Sequence, residues 1–279
     1  MSIRTLLLSP RVTATGQALA DAARRRGMHV ETLRDWRVPD EWRGTPGATL
    51  YAGPLFADAV AGEPGLGLGL LEAPPDWLAQ LPYQLTSRKI EFSTVAEARQ
   101  LRRPAFVKPP NDKSFPARVY PDGSRLPGPD AVDDDTPVLV SDIMAFAVEY
   151  RLFLLDGEVR TGSRYFARGE LDVAPLDEDP RKDEVLAFAA GLAEAGLPSA
   201  VVVDVGLPAG GTSRWAVVEA NAAWASGHYA FDPHAALDVV LRAARPVAEC
   251  TAAEPPLPAP AARGRTGLRR ALGVAGRSV

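Results

Sequence analysis

Two apolar, β-branched runs, each broken by acid and separated by a glycine turn, constrain this chain more than any other stretch. Ala200-Val-Val-Val-Asp-Val-Gly206 and Trp215-Ala-Val-Val-Glu-Ala-Asn-Ala-Ala-Trp-Ala-Ser-Gly227 flank Pro208-Ala-Gly210-Gly211, so they read as neighbouring antiparallel strands joined by a hairpin. Asp204 interrupts the first run. Glu219 and Asn221 interrupt the second at a spacing of two, which places both on one strand face. A carboxylate in so apolar a setting is costly unless something positive pairs with it. Three oxygen donors gathered across a hairpin suit a hard divalent cation, above all magnesium bridging to phosphate. The register stays open, so Asp204 falls only within a residue or two of the position opposite Glu219. Rim residues of an ordinary hairpin, with Asp204 bonded to backbone, fit the same pattern.

With 279 residues, 46% hydrophobic and 24% charged, the chain can build full cores for two modest domains or one large one. A net charge of -4 argues against bulk attraction to nucleic acid or an anionic membrane. Cys250 is the only cysteine, which excludes an intramolecular disulfide and a cysteine zinc cluster, and His29, His228 and His234 are too scattered for a metal motif. The first apolar run is too short for a signal peptide, and no later run approaches the ~20 residues of a membrane span. The expectation is a cytoplasmic protein with neither nucleic-acid nor membrane partners.

The remaining chain supplies a scaffold around the hairpin. Strands at 3–8, 28–33, 48–52 and 65–72, with an amphipathic helix over 13–26 ended by Gly27, predict a small α/β layer with parallel pairing. Gly65, Gly67 and Gly69 lack the following helix that a phosphate loop needs, and no P-loop motif occurs. Prolines at 74, 75 and 82 mark a boundary. Beyond it come a helix over 94–101 capped by Ser93 or Thr94 with Glu97, and a strand, 104–108, ending in Lys108. A polar, basic loop follows at 111–120. The strand 137–144 precedes a hairpin, 148–155 and 158–166, turned at Asp156-Gly157. Its charges Glu149, Arg151, Arg160 and Arg164 are explained equally by cross-strand pairing on a wet face. Helices are expected over 181–195 and from Asp232-Pro233 to Ala244. From Pro246 the Ala-, Pro- and Arg-rich composition predicts a tail, with a short basic helix near 268–274.

In their order, Phe106-Val-Lys108-Pro, Glu149-x-Arg151, Asp204 on a strand and Glu219-x-Asn221 on its partner resemble the ATP-grasp superfamily over roughly Arg88 to Ala244. The layer before them resembles the pre-ATP-grasp domain. Arg88-Lys89, Asp112-Lys113-Ser-Phe-Pro and Glu219-Ala-Asn-Ala-Ala-Trp-Ala-Ser-Gly are most similar to a bacterial branch of carboxylate-amine ligase-like proteins. The resemblance implies an α/β (α+β) fold with a pre-ATP-grasp domain at 1–80, an ATP-grasp domain at 81–245 and a tail at 246–279.

It also implies roles. Lys108 and Lys89 match the lysines that touch the α- and β-phosphates, with Lys113 as a further contact where relatives carry a glycine-rich loop. Asp142 and the Met144 backbone fall at the adenine hinge, and Glu149 near the ribose. Arg151 matches the arginine that steadies the transferred phosphoryl, making Arg151 and Lys108 the catalytic pair. Asp204, Glu219 and Asn221 match the magnesium ligands, while Arg164, Ser226 and His228 are candidates for the second substrate. The implied activity is an ATP- and Mg2+-dependent ligase joining small-molecule or peptide carboxylate and amine substrates through an acyl-phosphate. A kinase of the same fold and a non-catalytic nucleotide-binding partner are the alternatives, and a homodimer is left open.

Overall fold

The structure, a computed structural model, describes residues 4–62, 65–111, 113–210 and 214–250; Asp112, Gly211 and the expected basic helix near 268–274 lie outside the described residues. Two compact units emerge, and they do not follow the three consecutive segments expected from the sequence. Met1–Ala73 groups with Ala145–Leu257, while Pro74–Met144 forms a unit of its own.

The first unit opens with β1 (Thr5–Leu8), α1 (Ala14–Arg25), β2 (His29–Thr32) and β3 (Ala48–Tyr51), in a parallel sheet of order β2-β1-β3. β1 is buried throughout, and α1 turns Leu19, Ala20, Ala22 and Ala23 inward. The Thr13 hydroxyl caps α1 by accepting from the Gly16 N–H, and Gly27 leaves the helix at φ +73. Next come α2 (Pro54–Val60), with proline at its start, and β4 (Leu68–Leu70).

The second unit contains α3 (Trp77–Gln80), α4 (Tyr83–Thr86), β5 (Ile90–Thr94), α5 (Val95–Ala98), β6 (Ala105–Lys108), β7 (Arg118–Tyr120) and β8 (Pro137–Ser141). Its antiparallel sheet runs β5-β8-β6-β7. Thr94 and Glu97 form the expected capping box on α5. β7 stands where a loop was expected. Phe115 and Tyr120 bury themselves beside Leu126 and Val132, and that core draws the polar stretch between them onto β6.

The chain then returns to the first unit through β9 (Phe146–Leu155), β10 (Glu158–Ala167), β11 (Glu170–Pro175), α6 (Lys182–Ala190), β12 (Ala200–Pro208), β13 (Ala216–Asn221), α7 (Pro233–Ala243) and β14 (Ala244–Pro246). Five of these strands make an antiparallel sheet of order β11-β10-β9-β12-β13. Helix α7 packs on β9, β10 and β12, and α6 packs on β10.

The return explains the discontinuous unit. β14, in the stretch read as the start of a tail, pairs antiparallel with β4. The Ala52 N–H donates to the Trp224 carbonyl at 3.0 Å, and the Trp224 Nε1–H donates to the Leu71 carbonyl at 2.9 Å. Leu6, Leu50, Phe153, Val202, Trp224, Leu237 and Val240 therefore share one core. No helix among the described residues is long and apolar enough to cross a membrane. Trp224→Phe removes a fully buried indole N–H bond and part of the core volume. It is expected to lower unfolding free energy by about 2–4 kcal/mol, measured by urea denaturation.

Candidate functional site

The antiparallel register answers what the sequence left open. Asp204 lies directly opposite Glu219 on β13, and on its other side it faces Arg151 on β9. A register shift just after Asp204 absorbs one residue of β13, so Glu219 and not Val218 meets it. Glu149, Arg151, Asp204, Glu219 and Asn221 consequently project from one face of the sheet. The intervening positions, among them Tyr150, Val203 and Val205, fill the opposite face and are fully buried.

Arg151 grips Asp204 in a two-pronged pair, Nε to Oδ1 at 2.9 Å and Nη2 to Oδ2 at 2.7 Å. Its Nη1 donates to the Gly227 carbonyl at 3.2 Å. The Asn221 amide donates to Glu219 Oε1 at 3.2 Å and points at Asp204 Oδ2 from 3.4 Å. Asp204 is 1% exposed, and burial pushes its carboxyl up to about 6; the Arg151 cation opposes that rise, while the Glu219 and Glu149 charges add to it. The same partnership with Asp204 holds the Arg151 guanidinium above its ordinary range despite burial.

Two tyrosines that sequence reasoning missed complete the face. β10 shifts register between Arg164 and Phe166, and the extra residue, Tyr165, donates its hydroxyl to Glu149 Oε2. The Tyr165 ring stacks on Tyr229 with centroids 4.9 Å apart and planes 11° from parallel. Both rings border Arg151, whose Cζ is 5.8 Å from the first centroid and 5.5 Å from the second. Burial and the charges of Asp204 and Glu149 raise the Tyr165 hydroxyl far above the usual phenol range, so it remains a donor. A bulge of this kind has no sequence signature, and Tyr229 offered only its place in a loop beside Gly227.

The expected second-substrate residues divide. Arg164 is opposite Tyr150, not Arg151, and so emerges on the other sheet face, where Asp179 holds it at 2.5 Å and Asp172 at 3.3 Å. It is removed from the site by strand alternation. Ser226 spends its hydroxyl on the Ala222 carbonyl at 2.7 Å. His228 Nδ1 lies 2.7 Å from the Thr15 hydroxyl, and burial lowers the imidazole's affinity for a proton. A separate cleft of about 490 Å³, lined in part by Leu33, Val38 and Trp42, holds none of these groups.

Within the second unit, Lys108 ends β6 and alternates away from the buried Val107. Lys89 pairs with Glu91 at 2.5 Å, and Lys113 is exposed. Asp142 acts as a strand-end clamp. Its carboxylate accepts from the Lys89 N–H at 3.1 Å, and its own N–H donates to the Lys89 carbonyl at 3.0 Å. Met144 follows in the segment leading to β9.

The donor set fits a hard cation. Among the described residues no group of three or more His, Cys, Asp and Glu side chains forms a ready metal cage. Asp204 and Glu219 with the Asn221 amide instead offer only oxygen once that amide makes a half-turn, as magnesium prefers, with room for phosphate and water ligands. Each Asp204 oxygen keeps a lone pair beyond its bond to Arg151. The mutual repulsion that raises Asp204 is also what a nearby divalent charge would relieve.

The raised carboxyl has a measurable consequence. The native state holds the Asp204 proton to about 6 and the unfolded chain only to about 3.8, so the associated stability is full below the lower value and lost as pH rises through the upper one. Urea denaturation from pH 4 to 7 is expected to show wild type losing up to roughly 3 kcal/mol relative to Asp204→Asn across that window. Parallel stability curves for the two proteins would refute the titration.

A family model described as an ATP-grasp domain, the second family of its clade, matches residues 85–239. No curated protein matches the chain. Among solved structures it is similar to the ATP-grasp ligase PsnB complexed with minimal precursor, at 15% identity and a TM-score of 0.47, covering 86% of this chain and 99% of that one. It is also similar to a RimK domain protein ATP-grasp from Sphaerobacter thermophilus DSM 20745, at 14% identity and a TM-score of 0.48, covering 85% and 98%. A third is the D-alanine–D-alanine ligase from Bacillus anthracis complexed with ATP, at 12% identity and a TM-score of 0.41, covering 79% and 86%.

Proposed function

The chain belongs to the ATP-grasp family, whose enzymes use ATP and Mg2+, and from that membership we propose a carboxylate-amine ligase that works through an acyl-phosphate. The observation that carries the reading is the convergence of Arg151, Asp204, Glu219 and Asn221 on one sheet face.

Attack of a carboxylate on ATP brings one anion against another, so a site for it must supply fixed positive charge without reorganising at the moment of reaction. Arg151 is held for that purpose. Its bonds to Asp204 and Gly227 fix the guanidinium plane yet leave N–H groups unused, and these are assigned to the transferred phosphoryl oxygens. Asp204, Glu219 and Asn221 are the residues assigned to hold magnesium, which when bound neutralises phosphate charge. Lys108 and Lys89 are assigned to the α- and β-phosphates, with Lys113 a further contact, and the Met144 backbone to adenine. Tyr165 and Tyr229 keep water from Arg151, which protects an acyl-phosphate from hydrolysis until an amine attacks. The substrates proposed are small-molecule or peptide carboxylates and amines, with His228 beside the amine.

Incubation of the protein with Mg-ATP and a panel of carboxylates and amines is expected to release ADP and inorganic phosphate only when both classes are present. Phosphate retained on a single substrate would make the protein a kinase instead. Glu219→Gln and Asp204→Asn are each expected to lower turnover by at least about a hundredfold, roughly 3 kcal/mol of transition-state stabilisation, with circular dichroism unchanged. Near-normal turnover in both would remove the site assignment.

A further inference from the structure

We infer that the N-terminal α/β layer is a positioning device for Arg151, acting through Thr15 and Tyr51 on the loop that carries Gly227. The inference rests on the reading of Arg151 as the arginine that meets the transferred phosphoryl. What it adds is a role in that chemistry for two residues far away in sequence, in a layer outside the family-matched segment of 85–239.

Arg151 has two kinds of anchor. One is Asp204, on the neighbouring strand; the other is the Gly227 carbonyl, in the loop between β13 and α7. Gly227 is exposed, and a Cβ placed on it would meet nothing within 4 Å, so local packing does not aim its carbonyl. Its two chain neighbours do. On one side the Tyr51 hydroxyl donates to the Ser226 carbonyl at 2.9 Å. On the other the Thr15 hydroxyl accepts from the His228 N–H at 3.1 Å and sits 2.7 Å from His228 Nδ1. Two residues earlier in the loop, the Trp224 carbonyl accepts from the Ala52 N–H at 3.0 Å. The peptide whose oxygen meets Arg151 is thus held on both flanks by the N-terminal layer, across 175 and 213 residues of chain.

The layer's topology puts these groups together. In the order β2-β1-β3 the chain leaves β1 towards β2 and then crosses back to β3, so the connections diverge between β1 and β3. At such a divergence the carboxyl ends of the strands leave a crevice. Tyr51 closes β3 at that end and Thr15 stands in the first turn of α1. The Tyr51 hydroxyl is buried, and burial raises it above the usual phenol range, which keeps it a donor to Ser226.

The test uses the full-length protein and two readouts. The Arg151 side-chain Nε–H resonance, identified by its loss in Arg151→Lys, reports the guanidinium directly by NMR. In Thr15→Val and Tyr51→Phe, and most of all in their double variant, this resonance is expected to shift and to exchange faster with solvent; Thr15→Ser, which keeps the hydroxyl, restores it. Arg26→Ala breaks a contact between α1 and α7, at Asp238 and the His234 carbonyl, without touching the loop, and is expected to leave the resonance in place. In the Mg-ATP turnover assay the double variant is expected to lose roughly ten- to a hundredfold in kcat with the KM for Mg-ATP held, because a misaimed group is felt in the transition state. An unmoved resonance in the double variant overturns the inference, as does a moved resonance with unchanged kcat. A wild-type protein that releases no ADP would instead refute the ligase reading, and the resonance would still decide whether the layer holds Arg151.

Discussion

The site depends on one ion pair, Arg151 with Asp204, placed almost wholly out of water. Their side chains are 15% and 2% exposed, and they face each other across β9 and β12. Removing two charges from solvent costs several kcal/mol for each ion, and attraction between them recovers that only with good geometry and further hydrogen bonds. An aliphatic pair at these positions would fill the sheet at no such cost. The fork, the Gly227 bond and the Asn221 contact meet the geometric condition, yet Asp204 is still pushed up to about 6 because burial outweighs the pairing and Glu219 and Glu149 crowd it with like charge. A cluster with more negative than positive charge on a buried face is a poor device for stability. It is a good one for gathering further cations.

Strand order follows from that pair. β9 and β12 are neighbours in the sheet although β10, β11 and α6 come between them in the chain. The hairpin β9-β10 folds away to one side and the hairpin β12-β13 to the other, so the two inner strands carry Arg151 and Asp204 while the outer strands bring Tyr165 and Glu219 to flank them. The stacked tyrosines then cover the guanidinium with hydrocarbon that cannot compete for its N–H groups. Their contribution is electrostatic as well as steric, since a lower local dielectric strengthens the surrounding charge interactions.

Much of this was legible in the sequence, for identifiable reasons. Glu219 and Asn221 had to share a face because strand alternation has a fixed period, and the β-branched runs on either side left little doubt that they lay on a strand. The capping box at Thr94 and the turn at Asp156-Gly157 are local chemistry and appeared as expected. What stayed hidden depended on long-range register. Arg164 seemed a site residue because it was basic and near, but only its pairing with Tyr150 reveals the face it takes. Tyr165 needed a bulge that no pattern announces. β14 is three residues of ordinary composition that become a strand only because β4 offers them an edge, and β7 is drawn onto β6 by two aromatics embedded in polar sequence.

The same dependence on distant contacts changes how the N-terminal layer is understood. Taken as a stretch of sequence, it is a small α/β unit that could stand apart from the chemistry. Its core, however, is continuous with Phe153, Val202, Trp224 and α7, so it cannot be deformed without disturbing the sheet that presents Arg151. A packed interior transmits such displacement because it contains few voids to absorb it. Fold and site are joined here through shared packing and a few hydrogen bonds to one loop, and the residues that aim an arginine need not lie near it in the chain.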